Sequence, residues 1–401
     1  MRCFARASTS LPAAKRSGTL PPMSLPPPRG ADGRVLLMGL SRDALADWLG
    51  AEIEVPASKI GPTIRRMWTA IYRHGHPEIA TIPGIRDDLR QRLAAAARID
   101  PLVLEDRRRS TDGTEKFLFR TDDGAIVESV LIPGRQRLTL CISSQIGCAM
   151  RCAFCLTGTM GLRGDLNTAE IIGQVVQARR ALAADDKKSG RTLSNVVFMG
   201  MGEPLHNCQA VIPATRVLID NEGLDLSARR VTVSTSGIVP AIDRLGAESP
   251  VQLALSLNAT TDEVRDWLMP INRKYPIASL LAAIRRYPLR PRERVLLEYV
   301  LLAGINDQPD DIERFAAHVR DLPVKINLIA FNPHAGSEFE RPSAEHVLYF
   351  RDALRALGIA AGIRETRGDE TMAACGQLGR PPGSTQTAAT RRRRLTLAPP
   401  V

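Results

Sequence analysis

The chain has 401 residues, of which 44% are hydrophobic and 24% charged, so it can bury a full-sized core. No segment approaches the about 18 uninterrupted apolar residues of a membrane-spanning helix, and a membrane protein is therefore not expected. Its formal net charge of +11 suits a polyanionic partner, with nucleic acid as the leading candidate. A basic surface or tail that binds nothing specific would give the same excess.

The N-terminal residues 1–38 are rich in Arg, Ser and Pro and have no acidic residue before Asp32. This composition predicts a disordered extension, or a start codon placed too far upstream. Because no apolar signal core is present, we expect a cytoplasmic protein. Its cysteines should then be reduced, which favours a metal or redox site over structural disulfides. Residues 381–401, with "RRRR" at 391–394, predict a disordered basic tail.

Three helical segments follow and predict a small helical domain over residues 39–100. Ser41 is placed to cap the first, "SRDALADWLGA", and Gly75 to stop the second, "GPTIRRMWTAIYRHG". The third is "PGIRDDLRQRLAAAA". Within residues 101–135, the stretch "KFLFRTDDGAIVESVLIP" predicts a β-hairpin linker into the next domain.

From 136 to 380, strand-like and helical segments alternate. The predicted strands are 137–144, 195–202, 230–237, 251–258, 294–304 and 324–331. They are apolar almost throughout, as expected for a parallel sheet buried on both faces. The pattern predicts an α/β fold, a partial (β/α)6 barrel rather than a closed eightfold one.

Four of the seven cysteines lie in "CISSQIGCAMRCAFC", residues 141–155. Cys148, Cys152 and Cys155 form a C-x3-C-x2-C triplet after the first strand, where active-site residues gather in β/α folds. A structural zinc site needs four ligands, usually as two separated pairs, and no second pair is nearby. A [4Fe–4S] cluster normally takes four cysteines, so three leave one iron open to a substrate or cofactor. A zinc-stabilised RNA-binding protein without catalysis is the disfavoured alternative.

This triplet, with Phe154 before its last cysteine, resembles that of the radical S-adenosylmethionine (SAM) superfamily. The motifs "FMGMGEPLHN", "VTVSTSGIVP", "PINRKYPI", "FNPHAGSEFERPS" and "RETRGDETMAACGQL" extend the resemblance to the RlmN-type RNA adenine-C2 methyltransferases, from about residue 40 to 380. The related Cfr enzymes methylate adenine C8 and share most of these motifs. C8 methylation therefore stays open as the nearest alternative.

The resemblance implies a radical SAM barrel that uses one [4Fe–4S] cluster on three cysteines and two SAM molecules per turnover. The reduced cluster would cleave SAM to a 5′-deoxyadenosyl radical. The implied substrates are adenosine 2503 of 23S rRNA and adenosine 37 of tRNA. An electron donor such as flavodoxin and a monomeric state are also implied.

The same resemblance assigns roles to two cysteines outside the triplet. Cys375, in "AACGQ", would carry the methyl group, and Cys141 would attack Cys375 to release the product, leaving a disulfide. Cys141 would also help remove the C2 proton, a role for which Glu128 is a second candidate. The alternative is that both cysteines are ordinary buried thiols and that Glu128 is a solvated strand residue.

SAM should lie across the strand ends. The residues that the resemblance implies for SAM binding are Gly202, Glu203, Ser234, Ser256, Leu257, Asn258 and Asn332. Asn258 stands where the family usually has histidine. Since only 4% of residues are aromatic, we expect RNA binding to depend more on Arg and Lys than on base stacking. Arg66 and Trp68 are candidate RNA contacts, although an exposed basic helix face explains them equally well.

Overall fold

The computed structural model describes residues 26–134, 137–185 and 192–379, so residues 1–25 and the predicted tail 381–401 lie outside it. The N-terminal elements are β1 (Val35–Leu36), α1 (Arg42–Ala51), α2 (Ala57–Trp68), α3 (Asp87–Ala96) and β2 (Ala97–Arg98). The three predicted helices are confirmed. Ser41 caps α1 by accepting a hydrogen bond from the Ala44 amide at 3.1 Å, and Gly75 has the left-handed φ of 67° that ends the second helical segment.

One expectation for the N-terminal extension is wrong within the described residues. Residues 35–38 are an apolar run, "VLLM", and all four side chains are buried. The strand β1 pairs in parallel with β2, which follows α3. Burial of these apolar side chains against the helices outweighs the disorder suggested by the neighbouring prolines.

The predicted hairpin is confirmed as β4 (Glu115–Arg120) and β5 (Ile126–Pro133), preceded by β3 (Val103–Arg109). It is more than a linker, because β5 pairs antiparallel with the first strand of the parallel array. The strands β3, β4 and β5 therefore extend the main sheet.

All six predicted core strands are confirmed. The next elements in chain order are β6 (Leu138–Cys141), β7 (Gln145–Gly147), α4 (Leu156–Thr159), β8 (Leu162–Asp165), α5 (Thr168–Asp185), β9 (Leu193–Phe198), α6 (Cys208–Ile219), β10 (Val231–Thr235), α7 (Val239–Glu248), β11 (Gln252–Ser256) and α8 (Asp262–Leu268). The last are α9 (Ile277–Arg286), β12 (Val295–Leu301), α10 (Pro309–Val319), β13 (Val324–Ala330), α11 (Ala344–Ala356) and β14 (Ala361–Ile363).

The main sheet has the order β14-β13-β12-β11-β10-β9-β6-β5-β4-β3. The strands β6, β9, β10, β11, β12, β13 and β14 run parallel, and β14 is a seventh parallel strand that the sequence pattern did not indicate. The sheet is open, with β3 and β14 at its edges, as expected for a partial barrel. The carboxyl ends of the parallel strands meet at one rim, which is where the cysteine triplet lies.

In the ranges that the structure describes, no helix combines the length and apolar character needed to cross a membrane.

Candidate active site

The loops after β6 and β9 lie against each other at the rim of the sheet. The Gly200 amide donates to the carbonyl of Ile142 at 3.1 Å. Gly202 has a φ of 100°, and a Cβ on it would lie 2.5 Å from the Cβ of Gln145, so only glycine fits there. This close approach fixes the position of the next residue, Glu203, because the Glu203 amide donates to the Gln145 side chain at 2.8 Å.

The Glu203 carboxylate is buried and held by backbone donors. One oxygen accepts from the Leu205 amide at 3.0 Å and the other from the Ser236 amide at 2.7 Å. Burial raises the pKa of Glu203, and the hydrogen bond from the Ser236 amide partly opposes that rise. The hydroxyl of Ser236 is buried and has no hydrogen-bond partner among the described residues. A fixed carboxylate beside an unpaired hydroxyl fits an ammonium-bearing ligand such as SAM.

A buried arginine joins the ends of β10 and β11. Arg265 donates to the carbonyls of Ser236 at 2.7 Å, Ser256 at 3.0 Å and Leu257 at 2.9 Å. It also donates to the carboxamide oxygen of Asn272 at 2.9 Å. All four of these acceptors are neutral. Burial lowers the pKa of Arg265 to about 10. The sequence reasoning missed this residue, which positions the segments that contain two expected SAM-binding residues.

The expected SAM-binding residues at the end of β11 differ in accessibility. Ser256 is half-buried, as is Ser234 on the neighbouring strand, whereas Leu257 is fully buried. Asn258 has a left-handed φ of 56°, and its carboxamide oxygen accepts from the Val300 amide at 2.8 Å. The carboxamide nitrogen lies 3.2 Å from the sulfur of Met269. The Asn258 side chain is therefore engaged inside the protein.

The three cysteines of the triplet are free thiols on one loop. The loop is fixed by hydrogen bonds from the Ala153 amide to the Leu268 carbonyl at 2.9 Å and from the Cys155 amide to the Cys152 carbonyl at 3.1 Å. Burial raises the pKa of all three thiols, that of Cys148 to about 12.

No three His, Cys, Asp or Glu side chains in the described part of the chain gather around a single metal position. A cuboidal [4Fe–4S] cluster does not require such convergence, because each cysteine binds a different iron. Three thiols on one half-buried loop at the strand ends therefore fit a cluster of this kind.

The segment that contains Cys375 packs against the same loop, although 220 residues separate it from Cys155 in the sequence. The Leu156 amide donates to the Gly376 carbonyl at 2.8 Å, and the Thr157 hydroxyl to the Leu378 carbonyl at 2.7 Å. Asn332, at the end of β13, donates to the carbonyl of Cys375 at 3.0 Å. Asn332 thus positions Cys375 in the structure.

Cys141 and Cys375 line one cavity of about 330 Å³, together with Asn332, Met199 and Arg364. Both cysteines are free thiols. Burial raises the pKa of Cys141 to about 12, and it raises the pKa of Cys375 as well. The structure therefore brings the two cysteines together beside the triplet loop, as expected.

Arg364, directly after β14, is the second arginine that sequence reasoning missed. Its guanidinium lies 3.2 Å from the Met199 sulfur and 3.9 Å from a carboxylate oxygen of Glu298. Its charge lowers the pKa of Cys375, which partly offsets the effect of burial, and the thiolate in turn raises the pKa of Arg364. The only sequence signal was its place in "RETRGDETMAACGQL".

Glu128 is not the solvated strand residue that its sequence context allows. It is buried, and its carboxylate lies 2.8 Å from the ammonium of Lys116. It also accepts from the Gly379 amide at 3.0 Å. Glu128 shares a face of β5 with Val130 and Ile132, which line the cavity. It therefore lies close to the cavity without lining it.

In the helical region, the structure separates the two candidate RNA contacts. Arg66 is exposed. Trp68 is only 2% exposed, and the guanidinium of Arg42 lies over its indole ring, 5.3 Å from the ring centre. Because this side chain is buried, the expectation that it contacts RNA is wrong.

Comparison with known proteins agrees with this geometry. The family model of the Radical SAM superfamily matches residues 142–316. The chain is 46% identical over 347 residues to the dual-specificity RNA methyltransferase RlmN of Geobacter sulfurreducens, covering 86% of this chain and 92% of that protein. The RlmN of Methylorubrum populi is 43% identical, with 93% and 90% covered. A crystal structure of a radical SAM methyltransferase from Sphaerobacter thermophilus is similar with a TM-score of 0.79 and 42% identity, over 85% of this chain and 98% of that one.

Proposed function

Because this chain belongs to the RlmN family of radical SAM RNA methyltransferases, we propose that it methylates C2 of adenosine 2503 in 23S rRNA and of adenosine 37 in tRNA. The single observation that supports this most is the cavity shared by Cys141 and Cys375 beside the cysteine-triplet loop. The positive net charge suits an RNA substrate. We place the reaction in the cytoplasm, with a monomeric enzyme and a reducing partner such as flavodoxin.

As a radical SAM enzyme, the protein uses an iron–sulfur cluster and SAM. The residues proposed to hold a [4Fe–4S] cluster are Cys148, Cys152 and Cys155. Those proposed to hold SAM are Gly202, Glu203, Ser234, Ser256, Leu257, Asn258 and Asn332, to which the unpaired Ser236 hydroxyl is added. Leu257 and Asn258 would contribute through their backbone, since their side chains are buried or engaged. When bound, the two groups supply the methyl carbon and a hydrogen-abstracting radical.

The thiol chemistry is assigned to the two cysteines of the cavity. Cys375 accepts and carries the methyl carbon, because a nucleophilic sulfur can take a methyl group that adenine C2 cannot take in a polar displacement. Loss of a hydrogen atom from the S-methyl group would let its carbon bond to adenine C2, and the adduct would then give up the C2 proton to Cys141 and one electron to the iron–sulfur cluster. Cys141 then attacks the sulfur of Cys375. The sulfur–carbon bond breaks, the leaving carbon takes up the proton from Cys141, and the methylated base is released with a disulfide left behind. Cys141 is also the better placed acceptor for the C2 proton, since Glu128 is already ion-paired with Lys116.

The test is nucleoside mass spectrometry of rRNA and tRNA from a bacterial strain without its own adenine-C2 methyltransferase. The wild-type chain should restore 2-methyladenosine in both RNAs, while Cys375→Ala should not. Cys208→Ala is the matched control, because Cys208 lies on α6 and does not line the cavity. Normal 2-methyladenosine with Cys375→Ala, or none with the wild-type chain, would reject the proposal.

The second candidate is methylation of adenine C8, because the same cysteine arrangement would serve it. Chromatography separates 8-methyladenosine from 2-methyladenosine in the same experiment. Detection of 8-methyladenosine in 23S rRNA would instead assign the chain to the adenine-C8 methyltransferases. The non-catalytic zinc alternative is set aside, since the chain belongs to a family of methyltransferases.

A further inference from the structure

One tryptophan stands apart from the other two in its exposure. Trp267, on α8, is 55% exposed, whereas Trp48 and Trp68 are 4% and 2% exposed. Its ring centre lies 5.6 Å from that of Phe339, with the planes tilted by 53°. Phe339 in turn packs edge-on against Phe331 at 6.0 Å. Trp267 and Phe339 together form an aromatic ledge, supported from below by Phe331.

This aromatic ledge lies beside the candidate active site. Leu268, the residue after Trp267, accepts the hydrogen bond of Ala153 in the cysteine-triplet loop. Phe331, which supports the ledge, directly precedes Asn332, and Asn332 positions Cys375. The residues that adjoin the ledge and its support in sequence, Leu268 and Asn332, therefore contact the triplet loop and the Cys375 segment.

We propose that the aromatic ledge stacks a nucleobase next to the target adenosine of the substrate RNA. This inference rests on the proposed function. An adenosine must leave its stack before C2 can enter an enclosed site, and its neighbours then lose a stacking partner. An indole face replaces that partner whatever the base, because every base has a π-face. Sequence-tolerant contact suits an enzyme that accepts two different RNAs.

The surrounding charges favour a base over a phosphate on the ledge itself. Glu338 and Glu340 flank Phe339 and are exposed, so they would repel a phosphate there. Arg273 and Lys274 are exposed in the segment after α8 and can take the backbone phosphates. A nucleotide with its base on the ledge and its phosphate toward these two cations avoids the carboxylates and pairs with the cations.

The size of the ledge also favours RNA over a protein partner. A stable protein interface buries about 800 Å² on each side around an apolar centre. Here one exposed indole and one half-buried phenyl ring are flanked by charged residues. The exposed area of these two rings matches that of a single nucleobase.

The test uses the intrinsic fluorescence of the cluster-loaded protein without reductant, so that no turnover occurs. Since the other two tryptophans are buried, stacking of a base should quench the emission of Trp267 selectively. The probe is a transcribed tRNA that contains the target adenosine, with affinity measured in parallel by anisotropy. We expect Trp267→Ala to weaken binding about 5- to 100-fold. Trp267→Phe, which keeps a stacking ring, should stay within about threefold of wild type.

Tyr349→Ala is the matched control, because Tyr349 is 51% exposed on α11 but does not belong to the ledge. It should bind RNA as wild type does. The inference is overturned if RNA does not quench the fluorescence and Trp267→Ala binds the tRNA with wild-type affinity. It is also overturned if Trp267→Ala binds the tRNA normally and loses only electron transfer from reduced flavodoxin. In either case wild-type 2-methyladenosine formation would leave the proposed function standing. Failure of the wild-type chain to form it would reject the function instead.

Discussion

The ammonium of Lys116 on β4 lies 2.8 Å from the carboxylate of Glu128 on β5, and both side chains are almost completely buried. Each partner also holds one end of the segment that contains Cys375. Lys116 donates to the Met372 carbonyl at 3.0 Å, and Glu128 accepts from the Gly379 amide at 3.0 Å. The antiparallel hairpin therefore positions the proposed methyl carrier, although the two lie far apart in the sequence.

Lys116→Met should destabilise the protein by about 3–5 kcal/mol, because it leaves the Glu128 carboxylate buried without its cation. Urea unfolding measures this loss, and hydrogen exchange should show faster exchange of the amides in residues 372–379. Arg120→Ala is the control, since the Arg120–Glu105 pair is about half exposed and worth less than about 1 kcal/mol. Equal losses for the two variants would contradict a clamping role for Lys116.

Arg364→Met should raise the pKa of the Cys375 thiol further above its ordinary value. Burial already raises that pKa, and the guanidinium charge is the opposing influence that the substitution removes. The thiolate fraction at a given pH should fall, so the pH profile of alkylation by iodoacetamide should shift to higher pH. Mass spectrometry of the Cys375 peptide, in protein prepared without cluster, measures this profile.

Glu298→Gln is the matched control with the opposite sign. The Glu298 carboxylate raises the pKa of Cys375, so its neutralisation should shift the alkylation profile to lower pH. If both variants shift the profile in one direction, general loosening of the cavity explains the result and the charge argument fails.

The core of the fold was predictable because each of the six predicted parallel strands is an apolar run bounded by turns. The strands that were missed lack that signal. β14 has only three residues, and β3 reads "VLEDRRR", which is mostly exposed at the sheet edge. Their places depend on pairing between distant parts of the chain, which local patterns do not encode.

The cysteines of the site were predictable from spacing and resemblance, whereas the buried arginines were not. Arg265 lies on a short helix among acidic residues and Arg364 follows a short strand, so each reads as a solvated charge. Only the tertiary structure shows that Arg265 joins strand ends and that Arg364 lies in the thiol cavity. Likewise, the sequence indicated Ser234, while the hydroxyl buried beside Glu203 is that of Ser236.

Replacing any cysteine of the triplet should remove the cluster. Anaerobically purified wild-type protein should be brown and contain about four iron and four sulfide per chain. Cys152→Ala should be nearly colourless and lose most of its iron, because two thiolates cannot retain the cluster. Cys208→Ala, a thiol outside the site, should keep the wild-type iron content. Stoichiometric zinc in colourless wild-type protein would contradict the cluster assignment.

Asn258→Ala should separate a structural role from SAM binding. The substitution leaves the Val300 amide without its acceptor and places alanine at a φ of 56°, so a loss of about 2–4 kcal/mol is expected in urea unfolding. SAM affinity, measured by anaerobic calorimetry on cluster-loaded protein, should stay within about twofold, because the lost carboxamide is engaged inside the protein.

Ser256→Ala should show the reverse pattern, since Ser256 is half-buried at the proposed SAM site. Its SAM affinity should fall about three- to tenfold with little change in stability. A large loss of SAM affinity in Asn258→Ala at unchanged stability would show that this carboxamide turns toward SAM, as the histidine usual at this position is expected to do.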